Sequence, residues 1–236
     1  MRGCLVTIVF LLGIAVAASW FVLPPLVGTL AQGALVAAGF EADSSTVTVS
    51  ADPPPRLLTL KADSVRIQAT NLTYRGLQAT SADITLNDVG FAERSFRTIA
   101  GTLRGVRYQP QDGPELSAPL VRLSGRVDRI RATLTLPAID AEALAIAAVE
   151  GGIGITPRSV LLTAPDHIQI DVGGLAVAAR LAVREDGTLN LVAPTGSPIG
   201  SIALVVPGPD APFRIESFDV VDGGLVIVAT FLTDLN

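Results

Sequence analysis

Residues 116–136 read LSAPLVRLSGRVDRIRATLTL, and the spacing of apolar residues in this run decides the class of fold. Val121, Leu123 and Val127 share one phase, separated by arginine and serine. Beyond Asp128-Arg129 the other phase takes over in Ile130, Ala132, Leu134 and Leu136. A two-residue period is that of a half-buried β-strand, because successive side chains point to opposite faces. The phase change predicts either one long bulged strand or two strands meeting at a kink.

Outward from this run the same period recurs. Upstream, every second residue of Ser64–Ala69 is apolar; Leu77–Asn87 alternates with a phase change near Ser81-Ala82, as a bulge would cause, and Arg97–Tyr108 is a weaker strand. Downstream, Pro137 breaks the pattern, Asp140 is placed to cap a helix over Ala141–Glu150, and Gly151-Gly152 ends it. Strands resume with Ile168, Ile170 and Val172. Leu175, Val177, Ala179, Leu181 and Val183 then form an apolar face, and Asp186-Gly187 turns into Thr188–Ala193. Ile199–Val206, Phe213–Val221 and Leu225–Leu232 complete the set. Between Pro25 and the first strand, Leu26, Leu30, Gly33, Ala37 and Phe40 recur at helical spacing, with Gly39 as a stop. Both helices carry apolar residues on more than one face, which predicts that both are buried. The expected class is α+β: long curved antiparallel sheet packed on two apolar helices, after one N-terminal hydrophobic segment.

That segment runs from Cys4 to Leu23, twenty residues without a charge, closed by Pro24-Pro25. As a helix it would cover about 30 Å, the thickness of a bilayer's hydrocarbon core. Arg2 precedes it, no basic residue follows until Arg56, and Trp20 sits near its outer end. This charge pattern puts the domain on the extracytoplasmic side. Ala15-Val16-Ala17 also fits a signal-peptidase site, so a cleaved signal peptide stays open beside an uncleaved anchor. The expected division is residues 1–23 as anchor or signal peptide and 24–236 as a single β-rich domain.

Composition bounds the chemistry. Basic residues are 16 Arg and Lys61. Positions 56–131 hold 12 basic and 7 acidic residues, whereas 132–236 hold 4 and 12. The first block suits a face that meets anionic headgroups, or arginines solvated beside nearby acids. A net charge of −5 with one lysine argues against nucleic acid. Cys4 alone excludes an internal disulfide, and one histidine, His167, excludes a zinc site built on histidines. His167 falls on the polar side of a short strand. Asp219 and Asp222, and Glu185-Asp186, flank turns, and Gly151-Gly152-Ile153-Gly154 follows a helix instead of opening one, the wrong polarity for phosphate. No catalytic residue, metal or cofactor is expected.

The series Leu57-Leu58, Val65-Arg66-Ile67-Gln68-Ala69, Gly76-Leu77 and Ile84-Thr85-Leu86-Asn87-Asp88-Val89 resembles the opening of the LmeA-like family of actinobacterial envelope proteins. Phe213–Ala229 is similar to that family's closing hairpin, and Asp140–Glu150 falls where the family has its second helix. The resemblance covers most of residues 24–232 in pattern more than identity. It implies a tubular lipid-binding (TULIP-type) fold that takes phospholipid in an apolar groove, and it carries over no catalytic residue. Groove candidates are Leu26, Leu30, Ala37, Phe40, Leu144, Ala148, Leu175, Val177, Phe213 and Ile215. The expected partners are the membrane and a phospholipid or related lipid. A second reading is a structural module that recruits an envelope protein through a sheet edge; an unrecognised hydrolase, with His167 beside a serine, is the third.

Overall fold

The computed structural model describes residues 28–231, apart from 30, 31, 34, 35, 38, 94, 110–113, 198, 199, 209, 210, 212 and 223 and the side chains of 54 and 55. The Cys4–Leu23 run, Leu26 and Leu30 lie outside the described residues. Among the described residues no helix is long and apolar enough to cross a membrane.

Thirteen strands form two antiparallel sheets, an α+β arrangement with a single long helix among the described residues. The first sheet takes β1 (Ser44–Ser50), β2 (Lys61–Tyr74), β3 (Leu77–Gly90), β4 (Thr98–Tyr108), β5 (Leu116–Arg126) and β6 (Arg129–Leu136) in chain order. It then adds β13 (Gly224–Phe231) and β12 (Phe213–Val221). The second, with five strands, runs β11 (Ser201–Val205), β10 (Leu189–Val192), β9 (Leu175–Val183), β8 (His167–Val172) and β7 (Ser159–Thr163). The run 116–136 is thus two strands. β5 and β6 fold back at Val127-Asp128, with Arg126 opposite Arg129.

In the larger sheet, strands of 11 to 14 residues do not keep one phase. On β2, Val65, Ile67 and Ala69 point inward, but the next inward residues are Ala62 and Leu72, each three positions away. Their β3 partners Leu86, Ile84 and Ala82 are followed by Ala79 and Leu77. β4 steps from Leu103 to Val106 across Gly105, and β5 from Ala118 to Val121 across Pro119. The ladders skip Asn71 opposite Thr80, and Gly105 opposite Pro119. Residues tolerant of the left-handed region occupy these steps, with φ 49° at Asn71 and 56° at Gly105. Pro119 has no N–H to leave unpaired. One crease therefore crosses β2 to β5. The bulge expected near Ser81-Ala82 is the β3 part of it, centred on Thr80.

The helix, α1, spans Ala138–Ile153, longer than the Asp140–Glu150 of the sequence reading. Pro137 stands at its N-cap and Asp140 lies in the first turn, so Asp140 does not cap it. Gly151 and Gly152 remain helical; the stop is Gly154, at φ 72°, whose N–H reaches the Glu150 carbonyl. Nor is α1 buried on most sides. Ala141, Leu144, Ala145, Ala148 and Val149 form one buried face, while Ala143 and Ala147 are exposed and Ile139 is 75% exposed. The buried face packs against β5, β6 and β13 of one sheet and β7 and β11 of the other, so α1 ties the two sheets into a common core. A smaller cluster of Val49, Ala51, Leu57, Ala62, Val65 and Val89 forms at the opposite end, beneath a 3-10 turn at Pro54–Thr59.

Gly28, Thr29, Gln32, Gly33, Val36 and Ala37 are helical, in keeping with the first helix of the sequence reading. Val36 and Ala37 are exposed, so among the described residues this segment is not a buried core helix. It lies along the outer edge of β1. Gln32 Nε2 donates to the Ser45 carbonyl at 3.2 Å and to Ser45 Oγ at 2.8 Å, and Gly28 is packed against the Val47 carbonyl. Covering free strand groups in this way blunts an edge that would otherwise pair with another chain. At the opposite edge, Gly187 closes on Arg214 and Ile215 of β12.

Candidate functional site: two grooves around a filled core

The inner face of the eight-stranded sheet carries a closely packed apolar cluster. Leu77, Leu103, Tyr108, Leu134, Phe213 and Phe231, all on that sheet, border a hollow of about 30 Å³, room for no more than a few water molecules. Phe213 holds this centre together, edge-on to Tyr108 at 5.0 Å and to Phe231 at 6.4 Å between ring centroids. Such T-shaped contacts match the positive ring edge to the negative ring face.

Open space lies in two surface grooves, each of about 570 Å³, within the ~300–1,000 Å³ range of small-molecule sites. The first runs between the end of α1 and the edge strand β11, lined by Ala147, Gly151, Ile153, Ile202, Ala203 and Val206 among others. Small side chains on α1 make it. Gly152 touches Ile202, where a Cβ would come within 2.9 Å of Cγ2, so helix and strand meet there. One residue earlier, an added Cβ on Gly151 would meet nothing within 4 Å. The walls are mainly apolar, with Ser201 as a polar side chain.

The second groove follows the crease. Asn71, Gln78, Thr80, Arg107 and Ser117 line it, with Asp43 and Asp140 also on its walls. It is polar because each strand turns an extra outward residue into it at the phase change. Asn71 Nδ2 donates to Asp43 Oδ2 at 2.7 Å, and the Thr80 hydroxyl donates to the Arg104 carbonyl at 3.1 Å.

The sequence-derived groove candidates fall in four places. Phe213 and Ile215, 7% and 4% exposed, belong to the packed centre. Leu144 and Ala148 belong to the buried face of α1, and Ala148 also borders the first groove. Leu175 is 61% exposed and Val177 half-buried, near the Gly173-Gly174 hairpin tip. Ala37 is exposed, and Phe40 is half-buried at the margin of the main core, stacked on Tyr74 at 4.1 Å. The structure does not bring these four groups into one cavity. Ala147, Gly151, Ala203 and Val206, which do share a groove, were missed; four small or modest apolar residues spread over two elements carry no local signal.

Among the described residues the charged side chains lie at the surface, and the buried polar ones are Thr188 and Asn190, whose Nδ2 donates to the Thr188 carbonyl at 3.4 Å. His167 on β8 is exposed, with Nδ1 2.9 Å from Asp166 Oδ1 and Thr163 and Arg180 as its cross-strand neighbours. Among the described residues no three His, Cys, Asp or Glu side chains are grouped as a metal site would need. On the outer face of the larger sheet Glu216 receives Arg129, Arg131 and the Thr230 hydroxyl. The hydrogen bond from Arg131 first, then that from Thr230, holds its carboxyl down at about 2. Arg66 grips Asp83 through two hydrogen bonds of 2.9 and 2.6 Å, which likewise lower the Asp83 carboxyl.

Comparison with family models, curated proteins and solved structures finds no match for this chain.

Proposed function

We propose that this protein is a non-catalytic binding module, held on the outer side of a membrane by its N-terminal segment, that takes the apolar chain of a phospholipid or similar lipid in the groove between α1 and β11. That open, largely apolar groove beside a filled core carries the reading. The uncharged run Cys4–Leu23 and the LmeA-like sequence pattern support it. A groove open on one side covers only part of a chain. Ten methylenes, half covered, gain about 4 kcal/mol, the strength of a loosely held, exchanging ligand. Such a module passes lipid on and does not store it.

The closely packed core favours one further reading, in which the groove accepts an extended segment of an envelope protein added to the β11 edge. A single experiment separates the two. The full chain is reconstituted in phosphatidylcholine vesicles doped with a diazirine-acyl phosphatidylcholine, illuminated, and its adducts mapped by mass spectrometry. Adducts at 147–153 and 201–206, lost in Gly151→Phe at unchanged melting temperature, are the expected result. Adducts confined to residues 1–27, or retained in Gly151→Phe, exclude the lipid reading and leave the partner segment.

A further inference from the structure

The outward positions of the larger sheet form a surface unlike the rest of the molecule. Because β2 to β6 pair in antiparallel register without a break from Ser64 to the crease, their outward residues there fall in rows. One row runs Gln68, Asp83, Thr102, Arg122, Thr133, Val228. Its neighbour runs Arg66, Thr85, Ala100, Ser124, Arg131, Thr230. Arg104 sits diagonally from Arg122, and Arg126 faces Arg129. Seven arginines, at 66, 104, 122, 126, 129, 131 and 214, share this face with four carboxylates, Asp83, Asp128, Glu216 and, on the edge strand β12, Asp219.

The acids do not neutralise the middle. Asp83 is taken by Arg66, Glu216 by Arg129 and Arg131, and Asp128 stands 3.7 Å from Arg126 in the turn. Arg104 and Arg122, both exposed, form no ion pair among the described residues, and the side chains around them are mainly threonine and serine hydroxyls. Guanidinium groups beside hydroxyls are a donor array suited to phosphate oxygens. No aromatic side chain stands in these rows to stack on a base, and the chain as a whole is acidic, so the array does not suit nucleic acid.

We infer that this arginine–threonine face docks on the anionic phospholipid headgroups of the membrane that carries the chain. The inference rests on the N-terminal run as the attachment, but not on what fills the α1–β11 groove. Only residues 24–27 separate the end of the uncharged run from the first described helical residue, Gly28. Four residues reach at most about 14 Å, so the domain is kept near a surface whose potential fades over about 8 Å at physiological salt. The face lies on the opposite side of the larger sheet from α1, so docking and groove occupancy are separable by mutation.

The test uses the full chain in a Cys4→Ser background, with a fluorophore on Ser124→Cys at the centre of the face. It is reconstituted in vesicles of phosphatidylcholine or of an equal mixture with phosphatidylglycerol, each containing a headgroup-attached quencher. Flotation reports attachment and quenching reports docking. The expected result is flotation with both vesicles and quenching only with the anionic ones, reversed by high salt. At about 5-fold per arginine near an anionic surface, Arg104→Glu with Arg122→Glu weakens docking by at least about 25-fold. Arg158→Glu, off this face on the approach to β7, leaves docking unchanged. Flotation without quenching, or equal quenching on neutral vesicles, overturns the docking face and leaves the membrane attachment standing. Flotation with neither vesicle overturns both. Binding of soluble poly-glutamate without quenching on anionic vesicles assigns the face to an acidic protein and overturns the inference.

Discussion

The two sheets solve the same packing problem at different lengths. In the five-stranded sheet the strands have 4 to 9 residues; β7 to β10 pair without a break, and one register shift stands at Leu189/Asn190, where β10 meets the edge strand β11. Ile170, Leu189 and Leu191 are 0% exposed and Ile168 and Leu204 1%. In the eight-stranded sheet, β2 and β3 have 14 residues each, and Ile67 and Ile84 at their middle are only half-buried. A twisted strand of that length carries a fixed inward face away from the core it began on. The crease at Asn71, Thr80, Gly105 and Pro119 re-aims the alternation, and the strand returns to apolar cover at Leu72, Leu77 and Val106. Short strands stay within one core. Long ones need a step in phase, and each step leaves polar backbone and side chains on the outer surface.

The contrast predicts where truncation costs most. Leu189→Ala removes a fully buried side chain from a tightly packed sheet and is expected to cost about 2–5 kcal/mol. At roughly 2–4 °C per kcal/mol for a chain of this size, that lowers the melting temperature by about 5–15 °C. Ile84→Val, at the half-buried middle of β3, is expected to cost less than about 1 kcal/mol. Thermal melting of both variants checks the comparison, and equal losses would show that the middle of the larger sheet is covered as fully as the smaller one.

An intermediate effect belongs to the crease itself. Gly105→Ala places a Cβ at φ 56° and onto the Thr80 hydroxyl. Left-handed strain of this kind costs about 1–2 kcal/mol. Hydrogen exchange should show the loss concentrated in β3, β4 and β5 beside Thr80. Uniform destabilisation, or none, would mean that the crease is not held by residues able to adopt the left-handed region.

Much of this architecture is legible in the chain, and the failures have a common cause. The bounds of β12 coincide with the alternating run Phe213–Val221 because the sequence punctuates it, with proline at 212 before it and Asp222-Gly223-Gly224 after it. β1 carries little strand signal, since Ser44–Ser50 offers only Val47 and Val49 as apolar residues and becomes a strand by pairing with β2. β7 was missed for similar reasons, as five residues in which Leu161 breaks the polar side. Leu175 and Val177 continue the apolar phase of Ala179 and Leu181, yet Val177 reaches only the margin of the core and the β8–β9 hairpin carries Leu175 past it. Both grooves depend on how distant segments meet, the end of α1 on β11 in one and four strands in register in the other. Gly151 carries one clear local signal, a helix stop, and the structure keeps it in the helix. Periodicity reports what one strand does against a core, and it is blind to where that core ends.

The smallest effect sharpens the comparison on the outer surface, where the larger sheet holds its ion pairs. Glu216 sits in the bulge of β12 between Ile215 and Ser217, which swings its carboxylate across β13 to Arg131 and Arg129. In the folded protein its carboxyl is held at about 2, below an ordinary value of 4.5, by the Arg131 and Thr230 hydrogen bonds first. A depressed folded value means that the ionised group contributes its stabilisation in full above pH 4.5, and that this contribution is lost as pH falls towards 2. Glu216→Gln removes the charge at every pH. Exposed ion pairs are worth little, so the variant should melt no more than about 2 °C below the wild type at neutral pH. The difference should shrink through the window from 4.5 to 2, because there the wild type becomes neutral as well. Melting curves across that window decide it: a gap that stays constant down to pH 2 would mean that the bulge positions Glu216 for packing alone, and that the arginines beside it stand free of their acid.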